Sequence, residues 1–205
     1  MAYVPIIRFC TIGAGMLLLF SLLSGILPIV GTFPYVRDIL HAKTKPHRAS
    51  FLIWTILGAI AFFTQFAAGA TWSLTMSGVD ALLTLLIFIL AFRKSEGSFV
   101  FRDKAALVAA AIGLVLWYFT KQPLIALGIT IAVDMTATAL TVHKTYLDPG
   151  SETLSSWLCS CAGGILAALA VGRWSFGLLL YPVYLAIANG VVAGIIISRA
   201  KHITR

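Results

Sequence analysis

Two carboxylates dominate the chemistry open to this chain, because they stand where charge is otherwise absent. Asp134 lies within the apolar run Pro123–His143 and Asp80 within Thr75–Phe92, and neither run contains a Lys or Arg. At about 1.5 Å per helical residue, Asp134 is roughly 16 Å from the start of its run, near the middle of a membrane, and Asp80 is shallower. A carboxyl in such a setting is costly unless it faces a cavity or a partner group. Asp134 suits two functional roles, accepting a hydrogen bond from a substrate hydroxyl or carrying a proton coupled to transport. A structural carboxyl bonded to Thr136 or Thr138, or to a neighbouring helix, fits the same residues. Asn189 sits in the middle of the last apolar run, where it suits either a cavity wall or a polar contact between helices.

Aromatic and amide groups extend this set. Trp54 and Trp157 come early in their runs. They fit an interfacial aromatic belt or a pair that stacks a planar substrate between its rings. Trp72 and Trp174, at the opposite edge, fit a belt better still. Gln65, with Thr64, can line a vestibule, as can Tyr184 with Tyr181 and Pro182 on the last run.

Other chemistries lack their residues. Cys159 and Cys161 are two positions apart, about 200° around a helix, and cannot chelate one ion together. Cys10 is remote from both, and three Cys form no disulfide framework. His41, His47, His143 and His202 have no carboxylate or Cys beside them at metal-site spacing, so they read as parts of wet basic loops and no metal is expected. There is no HExxH, no GxSxG and no clustered His/Asp set. The chain reads as a non-enzyme without a cofactor.

The elements that must hold these residues are membrane spans. Of 205 residues, 60% are apolar and 11% charged, with a mean hydropathy of +0.99; a soluble domain carries about 45–50% apolar and about 25% charged residues. A short chain has too much surface to hide that apolar excess from water, so soluble and nucleic-acid-binding readings are excluded. Seven runs approach the roughly 20 residues that cross a bilayer: Phe20–Ala42, Ser50–Ala70, Thr75–Phe92, Lys104–Thr120, Pro123–His143, Thr153–Val171 and Gly177–Ser198. None shows the strict alternation of a barrel strand, and helices satisfy their own backbone in lipid, so an all-α membrane protein of seven transmembrane helices is predicted. Pro28 and Pro34 interrupt the first span and, with Gly31 and Gly25, are hinge candidates. Arg8 followed by Cys10–Leu23 resembles a signal-peptide charge and core, read as uncleaved because no small-x-small site follows.

The formal charge of +8 finds its meaning in topology. Arg37, Lys43, Lys45, Arg48, Arg93, Lys94, Arg102, Lys104, Lys144, Arg199, Lys201 and Arg205 fall on one side of a seven-span bundle, against Arg8, Lys121 and Arg173 on the other. The excess sets the amino terminus outside and the carboxyl terminus in the cytoplasm of a cell (inner) membrane. All four His fall on the same cytoplasmic face.

The spans also repeat. Lys43-Thr44 matches Lys144-Thr145, Pro46 matches Pro149, Ser50 matches Thr153, Trp54 matches Trp157 and Trp72-Ser73 matches Trp174-Ser175, in order and at nearly constant offset. The predicted organisation is an amino-terminal extracytoplasmic segment (1–19), a three-helix repeat (20–94), a loop and linker helix (95–122), a second repeat (123–201) and a tail (202–205). A linker helix returns the second unit to the orientation of the first, giving parallel halves with a site near the midplane.

The stretch Pro34-Tyr35-x-x-Asp38-Ile39-x-x-x-Lys43-Thr44-x-Pro46-x-x-x-Ser50-x-x-x-Trp54 resembles the PQ-loop motif of the SWEET-like (MtN3/saliva) transporter superfamily, with Tyr35 in place of the usual Gln. The second copy, Asp134-Met135-Thr136, lacks the Pro. The resemblance implies a 3+1+3 fold and a membrane transporter that moves a small polar metabolite, sugar or similar, by alternating access. It also implies that Asn189 is placed like the sugar-binding Asn of the last helix, while the matching region of the third helix offers Asp80 and Thr84 but no Asn. Two alternatives are implied as well: a ligand-binding receptor or adaptor like KDEL receptors, and a proton-coupled amino-acid or vitamin carrier like cystinosin or PnuC. Partners are then a small polar substrate and the lipid bilayer. Gly190-x-x-x-Gly194 and Cys161-Ala162-Gly163-Gly164 offer small faces for contact within one chain or between chains, which leaves a homo-oligomer open.

Overall fold

The computed structural model describes residues 13–94, single positions between 101 and 119, and residues 122–203. The amino-terminal residues 1–12 with Cys10, most of the linker run with its predicted fourth span, and residues 204–205 lie outside the described set. Six helices are described: α1 (Ala14–Leu40), α2 (Arg48–Ala67), α3 (Leu74–Lys94), α4 (Pro123–Leu147), α5 (Leu154–Ala170) and α6 (Phe176–Ile203), with a 3-10 turn at Pro149–Ser151.

Local sequence accounts for most of the boundaries. Pro123 opens α4 at a position where its missing N–H has no intrahelical partner to lose. Gly69 and Gly172 take positive φ, +82° and +67°, just after α2 and α5, where a side chain would be strained. Helix α1 begins at Ala14, six residues before the predicted first span. No charge or proline stands between Gly13 and Phe20, and Met16–Phe20 continue the apolar run. The helix then continues through both Pro28 and Pro34.

The expectation of seven spans is met only in coarser form. Among the described residues, four helices are long and apolar enough to cross a membrane: α1, α2, Leu74–Phe92 of α3 and Phe176–Ala200 of α6. Helix α5 is apolar but only 17 residues long. The 25-residue α4 carries Asp134 at its centre and is not among the four. What stands is an all-helical, multi-pass membrane protein.

The distribution of side chains supports that class. Leu22, Ile26, Phe33, Phe63, Phe66, Leu82, Leu86, Ile89, Ile165 and Ile187 are exposed, whereas Ser21, Ser24, Ser50, Gln65, Ser77, Thr130, Thr141 and Asp134 are buried. Such an apolar exterior around a polar interior suits hydrocarbon as the solvent.

Helix neighbours form a closed ring. Helix α1 packs on α3, α3 on α2, α2 on α4, α4 on α6, α6 on α5, and α5 back on α1. Close approach is made by glycine at the α5 seams. A Cβ on Gly164 would lie 2.7 Å from the backbone nitrogen of Ala186 in α6, and one on Gly163 would lie 3.0 Å from the Ser24 carbonyl oxygen in α1.

Candidate functional site

Each of the six helices sends residues to a central cavity of about 80 Å³. Helix α1 contributes Pro28, Thr32 and Tyr35; α2 contributes Phe51, Trp54 and Leu57; α3 contributes Asp80, Leu83, Thr84 and Ile87. Helix α4 adds Asp134 and Thr138, α5 adds Ser156, Trp157 and Ser160, and α6 adds Tyr181, Leu185, Ala188 and Asn189. Small-molecule sites commonly enclose roughly 300–1,000 Å³. A metabolite therefore enters this cavity only if its walls move apart.

Asp134 is the most constrained polar group in the wall. Its Oδ1 is buried without a hydrogen-bond partner, as is the hydroxyl of Tyr184. The polar groups of Tyr184, Trp54 and Thr138 surround the carboxyl, and Asp80 lies within electrostatic reach of it. Thr136 does not serve it, since its hydroxyl donates to the Val133 carbonyl at 2.6 Å. Asn189 lines the cavity but has turned one N–H to the Leu185 carbonyl at 2.7 Å. Thr84 spends its hydroxyl on the carbonyls of Asp80 and Ala81.

An aromatic wall closes one side. Trp54 and Trp157 meet edge to face, with centroids 6.0 Å apart and planes at 74°. Phe51 meets Trp54 at 5.0 Å, and Tyr35 meets Phe51 at 5.9 Å. Trp54 and Trp157 thus belong to the cavity rather than to an interfacial belt. Nor do they sandwich a planar group, which needs roughly 7 Å between parallel rings.

Sequence reasoning missed the knot at the end of the ring that carries the 41–47 loop. Glu152 lies in a loop, yet its side chain is only 2% exposed. Lys144 Nζ donates to its Oε1 at 2.8 Å and to the Lys45 carbonyl at 2.9 Å. Tyr35 Oη and Trp157 Nε1 donate to its Oε2 at 3.0 and 3.1 Å. Beside this knot, Thr153 Oγ1 donates to Asp38 Oδ2 at 2.9 Å and pairs with Thr44 Oγ1 at 3.0 Å. One carboxylate therefore joins α1, α4 and α5 directly beneath the aromatic wall. Glu152 lies outside every apolar run, so no span marks it; Tyr35, which stands where the PQ-loop motif has Gln, is the one sequence feature that points to it.

The opposite end of the ring is built differently. Ser21 donates to the Trp72 carbonyl and pairs with Thr75 Oγ1 at 2.6 Å. Gln65 is buried between α2 and α3, its Nε2 donating to Ser77 Oγ at 2.9 Å while its Oε1 has no partner. Gln65 thus stands apart from the central cavity, and Tyr184 approaches it only through Asp134. Trp72 and Trp174 are exposed at this end, as a belt requires.

Of the hinge candidates, Pro28 is fully buried and lines the cavity. Gly31 is packed against α5, where a Cβ would lie 2.6 Å from the Cβ of Cys159. Pro34 is half-buried on the same helix. Among the described residues, no group of three His, Cys, Asp or Glu could hold a metal ion. His41 Nδ1 instead bonds to the Arg37 carbonyl at 2.8 Å, and His47 Nδ1 to Ser50 Oγ at 3.1 Å.

No family model matches the chain, and no curated protein or solved structure is significantly similar to it.

Proposed function

We propose that this protein is a membrane carrier for a small polar metabolite, SWEET-like in architecture, that alternates access to the central cavity by rocking two three-helix halves. The observation that carries the reading is the cavity itself: a space lined by two carboxyls at the centre of an apolar ring, with the Asp134 Oδ1 left unpartnered. A buried charge of this kind costs about 2.5–3.5 kcal/mol on insertion scales. Natural chains retain such a group where it serves a ligand or a proton.

The repeat supports the two halves. Exchanging α1, α2 and α3 for α4, α5 and α6 maps every neighbour in the ring onto another neighbour: α1–α3 becomes α4–α6, α2–α3 becomes α5–α6, and α1–α5 becomes α4–α2. The positive-φ glycines Gly69 and Gly172 exchange in the same way. On this reading the linker run supplies a seventh span, the cation-rich loops face the cytoplasm, and the halves meet at the α1–α5 and α2–α4 seams. Motion at those seams widens the cavity at one end while the other stays shut, as parallel-repeat carriers do. The knot around Glu152 ties α1 to α4 and α5 across the halves at one end, and Arg173, donating to the Gly69 carbonyl at 3.4 Å, links them at the other.

The test is uptake into proteoliposomes from a panel of labelled sugars, amino acids and amines. The carrier reading expects saturable uptake of at least one compound, abolished by Asp134→Asn. Ligand binding with no flux would replace it with a receptor.

A further inference from the structure

Which metabolite fits depends on the charge balance of the cavity. Asp80 and Asp134 both line it, while no Lys, Arg or His does. Lys144, at the Glu152 end, is already held by that carboxylate and by the Lys45 carbonyl. Asp134 is 5% exposed and its Oδ1 lacks a partner. The wall is therefore rich in acceptors and carries no compensating positive charge.

We propose that the central cavity is a binding site for a small organic cation, a protonated or quaternary amine, held by Asp134 and Asp80 and by the aromatic faces of Trp54, Trp157 and Tyr181. The proposal rests on the reading of this cavity as the ligand site. Three classes of ligand compete, and the wall discriminates among them. An anion would meet two carboxyls and no cation. A neutral polyol would donate hydrogen bonds to the carboxyls but bring no positive charge against them. A hard metal ion would require six or more oxygen ligands, whereas one side of this cavity is indole and phenol. An alkylammonium group satisfies both features, since it neutralises a carboxylate and gains further attraction from ring faces within about 6 Å. The edge-to-face geometry of Trp54 and Trp157 leaves ring surface for one cation to lie against rather than a slot for a flat ring. The small volume points to compounds of a few heavy atoms.

The experiment uses the full chain in lipid nanodiscs, with binding read by thermal unfolding and calorimetry. The probes are choline, tetramethylammonium and ethanolamine, set against 3,3-dimethylbutan-1-ol (the neutral carbon isostere of choline), glucose, and sodium chloride at matched ionic strength. At least one cationic probe is expected to raise the unfolding temperature, while the isostere, glucose and sodium do not. Asp134→Asn should weaken that probe roughly 10- to 100-fold, as loss of one partner of a buried charge contact does. Trp54→Leu should weaken it roughly 2- to 30-fold. The proposal is overturned if no cationic probe binds, if the isostere or sodium alone reproduces the effect, or if Asp134→Asn binds unchanged. Should Asp134→Asn not fold, the choline-to-isostere comparison on the unaltered protein decides alone. Cation binding without uptake would refute the carrier and keep this site; uptake of a sugar with no cation binding would do the reverse.

Discussion

Replacing Glu152 with Ala removes one acceptor group from three donors at once, and the size of the effect can be built from the structure. Lys144 loses its 2.8 Å ion pair, keeping only the Lys45 carbonyl. Tyr35, 1% exposed, loses the acceptor of its hydroxyl, and Trp157 loses the acceptor of its indole N–H. A buried donor left unsatisfied costs about 1–3 kcal/mol, and breaking a buried ion pair by deleting one partner costs about 3–5 kcal/mol. These overlap because one side chain supplies both, so Glu152→Ala should cost about 3–5 kcal/mol in total. Glu152→Gln keeps an acceptor for Tyr35 and Trp157 and loses mainly the charge, so about 1–2 kcal/mol is expected. Tyr35→Phe in the Glu152→Ala background should cost less than it does alone, because it removes a donor already orphaned. The double-mutant cycle should return a coupling of about 1–2 kcal/mol. The assay is equilibrium unfolding in mixed micelles, followed by circular dichroism. A Glu152→Ala variant within about 0.5 kcal/mol of the parent, or strictly additive effects of the two changes, would refute the account of the knot.

Three further outcomes follow from packing and burial. Asp134→Asn should leave the protein as stable as the parent or raise its stability by up to about 3 kcal/mol, because it removes a buried carboxylate whose Oδ1 has no partner; a loss above about 1 kcal/mol in the same unfolding assay would make Asp134 a structural group. Gly164→Ala should destabilise by about 1–3 kcal/mol, since its Cβ would press on the α6 backbone at 2.7 Å, whereas Gly194→Ala meets nothing within 4 Å and should be neutral; equal unfolding midpoints for the two would contradict the α5–α6 seam. Gln65→Leu should cost less than about 1.5 kcal/mol, because the one bond to Ser77 that it removes is offset by relief of the unpartnered Oε1; a larger loss would assign Gln65 a second partner.

The sequence exposed groups whose oddity is local. Asp134 and Asp80 are visible because a charge within an apolar run needs a reason, and both line the cavity. Asn189 is visible on the same ground. Trp54 and Trp157 were identifiable as a pair from their matching offset, but whether they face lipid or the cavity depends on rotation of α2 and α5 about their axes. With aromatic and apolar residues on every side of both helices, periodicity does not fix that rotation. Glu152 was invisible for a different reason. Its burial comes from the 3-10 turn Pro149–Ser151, which holds the residue under α1 and α4. The depth of a loop is a tertiary property that no window of sequence carries. A proline at the first helical turn makes the start of α4 legible at Pro123, whereas α1 starts at Ala14 between two glycines, which the sequence pattern does not mark as a helix start.

A carrier must open its cavity in turn to the two sides of the membrane. Ser160 lines it, so a single Cys at that position, with Cys10, Cys159 and Cys161 replaced by Ala, reports access directly. The measurement is labelling by a membrane-impermeant thiol reagent in sealed vesicles of either orientation. Alternating access predicts labelling from both sides, with the two rates shifting in opposite directions when Glu152→Gln loosens one end. Labelling from one side only, unchanged by that substitution, would contradict it.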